Sequence, residues 1–377
     1  MPVKKSFLNV DAVKDELTKF GVENLAEEIE IIDTQLKKII SGYKKKTTLA
    51  MQQYKTGTPF FDVYKTTDDL DLPDWLLNQI KDARLIGNSF ETVILPDGEK
   101  YQLNNTLNHL SGREWNNFTA SVFSTFYPTN GKESYVHEIR KIHPTPKPPQ
   151  LMKEIIEFFT KKDALVFDYF MGVGGSLLGA SLANRKAVGI DLCQKYIDAY
   201  KTASEKLGLN VCQTYCGDCL EVLADKTLME NLLKNQQIDL VLIDPPYGEM
   251  MSKEKTGADI EVYGTVATPF TDDKRDFGNV SRGEFLEKLK LSVELVLPYV
   301  KKRGYVVVFI KDLQPCKKET NLLHSEIIYK LNEINNLNYK GLKIWADRST
   351  KLFPYGYPFS FVANQIHQYI MIFRKEK

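Results

Sequence analysis

Long apolar runs are missing from this sequence: no stretch of its 377 residues approaches the roughly 20 that a membrane-spanning helix needs. No membrane partner is expected. The opening residues, MPVKKSFLNVDAVKDEL, meet acids too early to serve as a secretory leader, so a cytoplasmic protein is the expectation. Charge of one sign is missing too, since 50 Lys and Arg face 49 Asp and Glu for a net charge of +1. Composition therefore does not announce a nucleic-acid binder, although a local basic face would suffice for one. Cysteine is scarce and odd in number, five in all, which argues against a disulfide framework. Cys212, Cys216 and Cys219 stand close together, but zinc needs a fourth ligand and no histidine is near. Small residues around a strand end are the preferred reading, and no metal is expected.

What is present is a globular composition, 43% hydrophobic and 26% charged, able to bury a sizeable core. The length suits one large α/β domain with a smaller appendage. Residues 1 to about 60 carry apolar positions at three- and four-residue spacing and read as helical. A turn-rich stretch follows, with Pro73, Asn88 and the hairpin signal Pro96-Asp97-Gly98. From about residue 143 strands and helices alternate, which implies a mainly parallel sheet with helices on its faces. Strands are expected at ALVFD, AVGID, VCQTYC, IDLVLID and GYVVVFI, and a last, antiparallel one at NQIHQYIMIFRK. The division expected is a helical or mixed N-terminal region, 1–110, and an α/β domain, 111–377, carrying an insert at 249–283. The N-terminal helices are candidates for contacts with a second copy, a partner subunit or DNA.

Between the first strand and its helix lies Asp168-Tyr169-Phe170-Met171-Gly172-Val173-Gly174-Gly175-Ser176. Gly172 and Gly174 let the backbone turn sharply and approach a ligand at the sheet's carboxyl edge. Asp191 ends the next strand, 23 residues after Asp168, where an acid reaches ribose hydroxyls. Asp218, after Gly217, is placed to accept from an adenine amino group; either acid would alternatively serve as a helix cap. Position 177 is Leu, so the third glycine of the pyrophosphate fingerprint is missing. An adenosine-bearing cofactor other than NAD is expected, S-adenosylmethionine above all.

The sharpest signal is Asp244-Pro245-Pro246-Tyr247, directly after the apolar strand LVLI. An exocyclic amino nitrogen is a poor nucleophile because its lone pair is delocalised into the ring. Fixed acceptors on both N–H groups draw it towards a pyramidal geometry. Asp244 supplies one acceptor and the Pro245 carbonyl the other, while Pro245 and Pro246 fix φ so that the acceptors stand ready. Tyr247 can stack on the base, an interaction worth about 1–3 kcal/mol. A base within a duplex must flip out to reach such a pocket. The bland alternative is a rigid Pro-Pro turn with a packed tyrosine.

From about 143 to 375 the chain resembles the amino-group (adenine-N6 and cytosine-N4) DNA methyltransferases. His143-Pro144-Thr145-Pro146-Lys147-Pro148 is similar to that family's first cofactor motif, so the resemblance gives Thr145, Lys147 and Pro148 a place near the methionine part of S-adenosylmethionine. FDYFMGVGG is similar to the family's D-P-F-x-G-x-G loop, with Tyr169 in place of proline and Asp168, Phe170, Gly172 and Gly174 kept. In that family D-P-P-Y goes chiefly with adenine, which implies a site-specific DNA adenine-N6 methyltransferase with a Rossmann-like fold, such as serves restriction–modification. Neither usual place for a separate target-recognition domain has room for a large one. A late hairpin helps form the family's target pocket, so Tyr355 or Tyr357 is a candidate wall, packing on the sheet being the alternative. The insert's EMMSKEKTGADIEVYG reads as a closing loop or a solvated connection. Lys44-Lys45-Lys46, Lys132, Arg140 and Lys141 are candidate phosphate contacts, and His143 reads as structural. Two rivals stand: an RNA enzyme acting on the guanine amino group, whose D-P-P-Y-G is completed here by Gly248, and a non-catalytic nucleic-acid-binding subunit.

Overall fold

The computed structural model describes residues 10–19, 21–32, 52–70, 72–248, 270–312, 314–315 and 320–377. It separates into two units, Met1–Ser111 and Gly112–Lys377. No described helix is long and apolar enough to cross a membrane.

The first unit contains a helix, Val10–Lys19, and a four-stranded antiparallel sheet of β1 (Thr58–Pro59), β2 (Arg84–Ile86), β3 (Thr92–Ile94) and β4 (Lys100–Gln102). Pro96-Asp97-Gly98 turns β3 into β4, with the Gly98 N–H on the Leu95 carbonyl at 2.9 Å. Phe60, Leu76, Leu85, Val93 and Tyr101 form the core of this unit. Helical periodicity in residues 1–60 therefore shares the unit with a small sheet. Lys44-Lys45-Lys46 lie outside the described residues.

The second unit is an eight-stranded sheet flanked by helices. Its strands are β5 (Val122–Thr125), β6 (Leu165–Asp168), β7 (Lys186–Asp191), β8 (Gln213–Cys216), β9 (Ile238–Ile243), β10 (Val300–Ile310), β11 (Leu337–Asp347) and β12 (His367–Lys375). They stand in the order β5-β11-β12-β10-β9-β6-β7-β8. The five from β10 to β8 are parallel, and β12 is antiparallel to both β10 and β11. This is a Rossmann-like α/β sheet. Strands covered on both faces read as near-continuous apolar runs, and in β9 only Asp239 escapes full burial. Pro148 and Pro149 open the helix Pro149–Phe159, where missing N–H groups cost little. Ser281 caps the helix Arg282–Val296.

Two strands, β5 and β11, are absent from the pattern read above, and Lys343 explains the second. It is 6% exposed, mid-strand, where alternation would ask for an apolar residue. Its ammonium donates to the Phe118 and Ala120 carbonyls and lies over the Phe118 and Phe123 rings. Burial pushes its pKa down to about 8.

The chain leaves β6 for β7 and β8 on one side and returns to β9 on the other. Strand order thus reverses between β6 and β9, and the crevice beyond their carboxyl ends is where open α/β sheets bind ligands.

Candidate active site

Asp168, Asp191 and Asp244 each end or follow a parallel strand at this edge, but their side chains do different things. Asp168 turns inward. Its Oδ1 accepts the Phe170 N–H at 2.9 Å and its Oδ2 accepts the Ser176 hydroxyl, which stitches the glycine turn closed. Burial pushes its carboxyl up to about 7.

The turn itself is tight. Gly172 and Gly174 both have positive φ, 49° and 71°. A Cβ on Gly174 would sit 2.1 Å from Cδ2 of Tyr200. Asp191 holds the turn from the next strand: Oδ2 accepts the Gly172 N–H at 2.7 Å, and Oδ1 accepts the Cys193 N–H at 2.8 Å. Burial pushes its carboxyl up to about 6. Asp218 accepts the Leu220 N–H at 2.7 Å and so caps the helix Cys219–Ala224 while also facing the cleft. For this residue the capping alternative holds, and its place in the cleft wall leaves it within reach of a ligand.

β9 delivers Asp244, and a buried ammonium meets it: Lys147 Nζ lies 2.6 Å from Asp244 Oδ2. Lys147 is held there by its own backbone, whose carbonyl accepts from Nη2 of Arg140 at 2.5 Å. Arg140 is 1% exposed, and burial pushes its pKa down to about 10. Tyr247 packs half-buried against the core, with its phenol ionisation pushed up by burial.

These residues line an open cleft at the carboxyl edge of the sheet. Thr145, Phe170, Gly172, Asp191, Asp218, Asp244, Pro245, Pro246 and Tyr247 line it. Four other residues expected to bind cofactor are absent from its lining. Asp168 and Gly174 serve the turn, Pro148 caps a helix, and the Lys147 ammonium is engaged by Asp244. Tyr355 and Tyr357 do not line it either.

The remaining wall was not foreseen. His143 stands against Tyr196 and Phe270, ring centroids 4.8 and 5.0 Å away, and its ring lines the cleft. Burial, with Lys147 and Arg140 adding repulsion, pushes its pKa down to about 3. A neutral ring accepting the Thr145 N–H at Nδ1 carries its proton on Nε2. Phe270, Thr271, Arg275, Asp276 and Phe277 close the other side. Asp276 is 6% exposed and accepts from the Gly278 N–H and the Thr271 hydroxyl, both at 2.8 Å. The C-terminal part of the insert is thus cleft wall, while 249–269 lies outside the described residues. The one available signal was Asp276-Phe277-Gly278, an Asx-turn pattern.

A second cavity, of about 840 Å³, adjoins the first at Thr145, which lines both. Its walls include Arg140, Lys147, Trp345, Asp347, Ser349 and Gln368. Lys147 faces this cavity and Asp244 the cleft, so their ion pair stands between the two. Cys219, 7% exposed, lines the cleft. Among the described residues no group of three or more His, Cys, Asp or Glu is placed to hold a metal ion.

Residues 16–202 match a family model described as DNA methylase. That span overlaps the cofactor segments named above and stops short of Asp244. Over 105 residues the chain is 27% identical to a tRNA (guanine(10)-N2)-dimethyltransferase of Pyrococcus abyssi, covering 28% of this chain and 30% of that protein. Over 54 residues it is 39% identical to the putative methylase YubD of Escherichia coli, covering 14% and 24%. The chain thus spans less than a third of the length of these curated relatives. Among solved structures, TrmN from Thermus thermophilus aligns with a TM-score of 0.40 at 12% identity, over 64% of this chain and 53% of that one.

Proposed function

We propose, from the chain's kinship with the amino-group DNA methyltransferases, that it methylates the exocyclic N6 amino group of adenine in DNA. One observation carries the reading. The Asp244-Pro245 acceptors open into the same cleft as Gly172, Asp191 and Asp218.

The cleft suits S-adenosylmethionine by its donor set. Its carboxylates, Asp191, Asp218, Asp244 and Asp276, outnumber its one ion-paired arginine, Arg275, an environment that favours a sulfonium cation. Asp191 and Asp218 would hold the ribose and adenine parts, with Thr145, Phe170 and Gly172 near the methionine part. When bound, the cofactor supplies an electrophilic methyl group.

The chain's own residues prepare the acceptor. Asp244 accepts one N–H of the base amine and the Pro245 carbonyl the other, which localises the nitrogen lone pair. Lys147 on Oδ2 leaves Oδ1 as the acceptor that meets substrate, and fixes its direction. Tyr247 supplies a ring face for the base, and Phe270 and Phe277 keep water from the reacting atoms.

A second reading has its own support. Gly248 completes D-P-P-Y-G, and one relative is named for the guanine-N2 position of tRNA; the acceptor geometry serves a guanine amine equally well. Incubation with methyl-labelled cofactor, DNA and tRNA, followed by mapping of the modified base, separates the two. Asp244→Ala is expected to abolish transfer with cofactor still bound, whereas Asp191→Ala weakens cofactor binding. Full turnover by Asp244→Ala would remove the catalytic assignment.

A further inference from the structure

The hairpin joining β11 to β12 carries an aromatic residue at every second position: Phe353, Tyr355, Tyr357, Phe359 and Phe361. The inner two are half-buried and pair with each other, ring centroids 5.7 Å apart. The outer three stand in solvent, Tyr357 at 81% exposure and Phe359 and Phe361 at 93%. None of the five lines either cavity. Three exposed rings within five residues form the kind of apolar surface that binding sites use.

The hairpin is built to hold them there. Asn364 clamps Phe353 at both its N–H (2.9 Å) and its carbonyl (2.8 Å). The Tyr357 N–H bonds to the Pro354 carbonyl at 3.1 Å, and the Phe359 and Ser360 N–H groups bond to Gly356 at 2.7 and 2.8 Å. The rings are therefore presented by ordered turns, with little to lose on binding.

Charge narrows the partner. Residues 348–364 contain Arg348 and Lys351 and no Asp or Glu. A run of rings preceded by two cations, with no acid among the rings, suits a strand whose phosphates pair with the cations while its bases stack on the rings. Position agrees. Ile243 is in register with Val308, and Val308 with Met371, so the hairpin springs from the edge of the sheet that bears Asp244. Its root residues Trp345, Asp347, Ser349 and Gln368 wall the cavity entered by Lys147, the partner of Asp244.

We propose that the 348–364 hairpin is a stacking platform for unpaired bases of a DNA strand beside the base offered to Asp244. Bases inside a duplex have both faces covered by neighbours, so the preferred substrate is single-stranded or locally melted DNA. The relation to Asp244 rests on the methylation reading; strand binding by the platform does not.

The test is fluorescence anisotropy of the full chain with a short labelled DNA strand, its duplex, and an RNA strand of the same sequence. The DNA strand is expected to bind on the order of tenfold more tightly than the duplex. The double variant Phe359→Ser, Phe361→Ser should lose about that factor on the strand alone, with duplex affinity, cofactor affinity and melting temperature unchanged. Because both side chains are exposed, the fold is not at risk, and Phe359→Trp with Phe361→Trp should preserve strand binding. Equal affinity for strand and duplex overturns the proposal. So do RNA binding tighter than DNA, a double variant that binds the strand like the parent, and a parent dimer that the double variant dissolves. Strand preference without any methyl transfer would sink the methylation reading and leave the platform standing; Asp244-dependent transfer with strand binding indifferent to the rings would do the reverse.

Discussion

Gly172 and Gly174 belong to one motif and one turn, yet replacing them by alanine should fail in different ways. At Gly174, φ is 71° and an added Cβ would lie 2.1 Å from Tyr200 Cδ2 and 2.6 Å from its Cγ. Tyr200 has no room to yield, being fully buried with its hydroxyl accepting the Cys212 N–H at 2.8 Å. The left-handed backbone costs an L-residue about 1–2 kcal/mol, and forcing a methyl into a filled core adds about 1–3 kcal/mol. Gly174→Ala should therefore lose about 2–5 kcal/mol, a large part of the roughly 5–15 kcal/mol that holds a domain together. At Gly172 the added Cβ would meet only the His143 ring edge, 3.2 Å from Nε2, but it would protrude where the cleft is lined. Gly172→Ala should thus melt closer to the parent while its cofactor dissociation constant rises on the order of tenfold. Thermal unfolding of both variants, with calorimetric titration of S-adenosylmethionine below both transitions, measures the contrast. A Gly174→Ala protein that melts with the parent would refute the packing argument, and reversed phenotypes would refute the assignment of the two glycines.

Asp168 makes a pH prediction. Its folded value, about 7, stands above the unfolded value of about 3.9, so its contribution to stability is full below the unfolded value and lost as pH rises through the folded one. Unfolding free energies from urea titrations should fall between about pH 4 and 8 by a few kcal/mol at most. Asp168→Asn, which keeps the acceptor for Phe170 and can donate to Ser176, should flatten that profile; a slope unchanged by the substitution would count against it. For Lys147→Met, transfer at saturating cofactor should drop roughly 10- to 100-fold, the worth of a charged hydrogen bond, with a smaller change in cofactor affinity. A larger loss in cofactor affinity would return Lys147 to the methionine end of the cleft.

The parts of the fold legible beforehand were those whose environment is uniform along the strand. β6, β7, β9 and the second half of β10 are buried almost throughout, so nearly every side chain there is apolar and the run announces itself. β8 and β12 are legible as well, although β8 is mostly exposed and β12 is fully buried only at Ile370, Met371 and Phe373. β5 and β11 lie at the opposite edge, where one strand shows alternate exposure and the other buries Lys343 on carbonyls some 220 residues away in sequence. Nothing local to either strand encodes that arrangement.

The site divides along the same line. The glycine turn and Asp244-Pro245-Pro246-Tyr247 were readable because each is a local device, a backbone shape or a pair of acceptors set by consecutive residues. What each acid does was not readable. Asp168 looks like a ligand until Ser176, eight residues on, is seen to take its Oδ2. Lys147 looks like a cofactor contact until its partner is found 97 residues downstream. His143, Tyr196 and Phe270 meet in one wall across long stretches of chain, the Tyr196 hydroxyl donating to the Phe270 carbonyl, 74 residues off, at 3.0 Å. Local pattern therefore gives the chemistry available at the sheet's edge, and long-range hydrogen bonds decide which of those groups are already spent on the protein. By that criterion Asp168 is spent inside the turn, whereas Asp191 and Asp244 still line the cleft, Asp244 with its Oδ2 on Lys147.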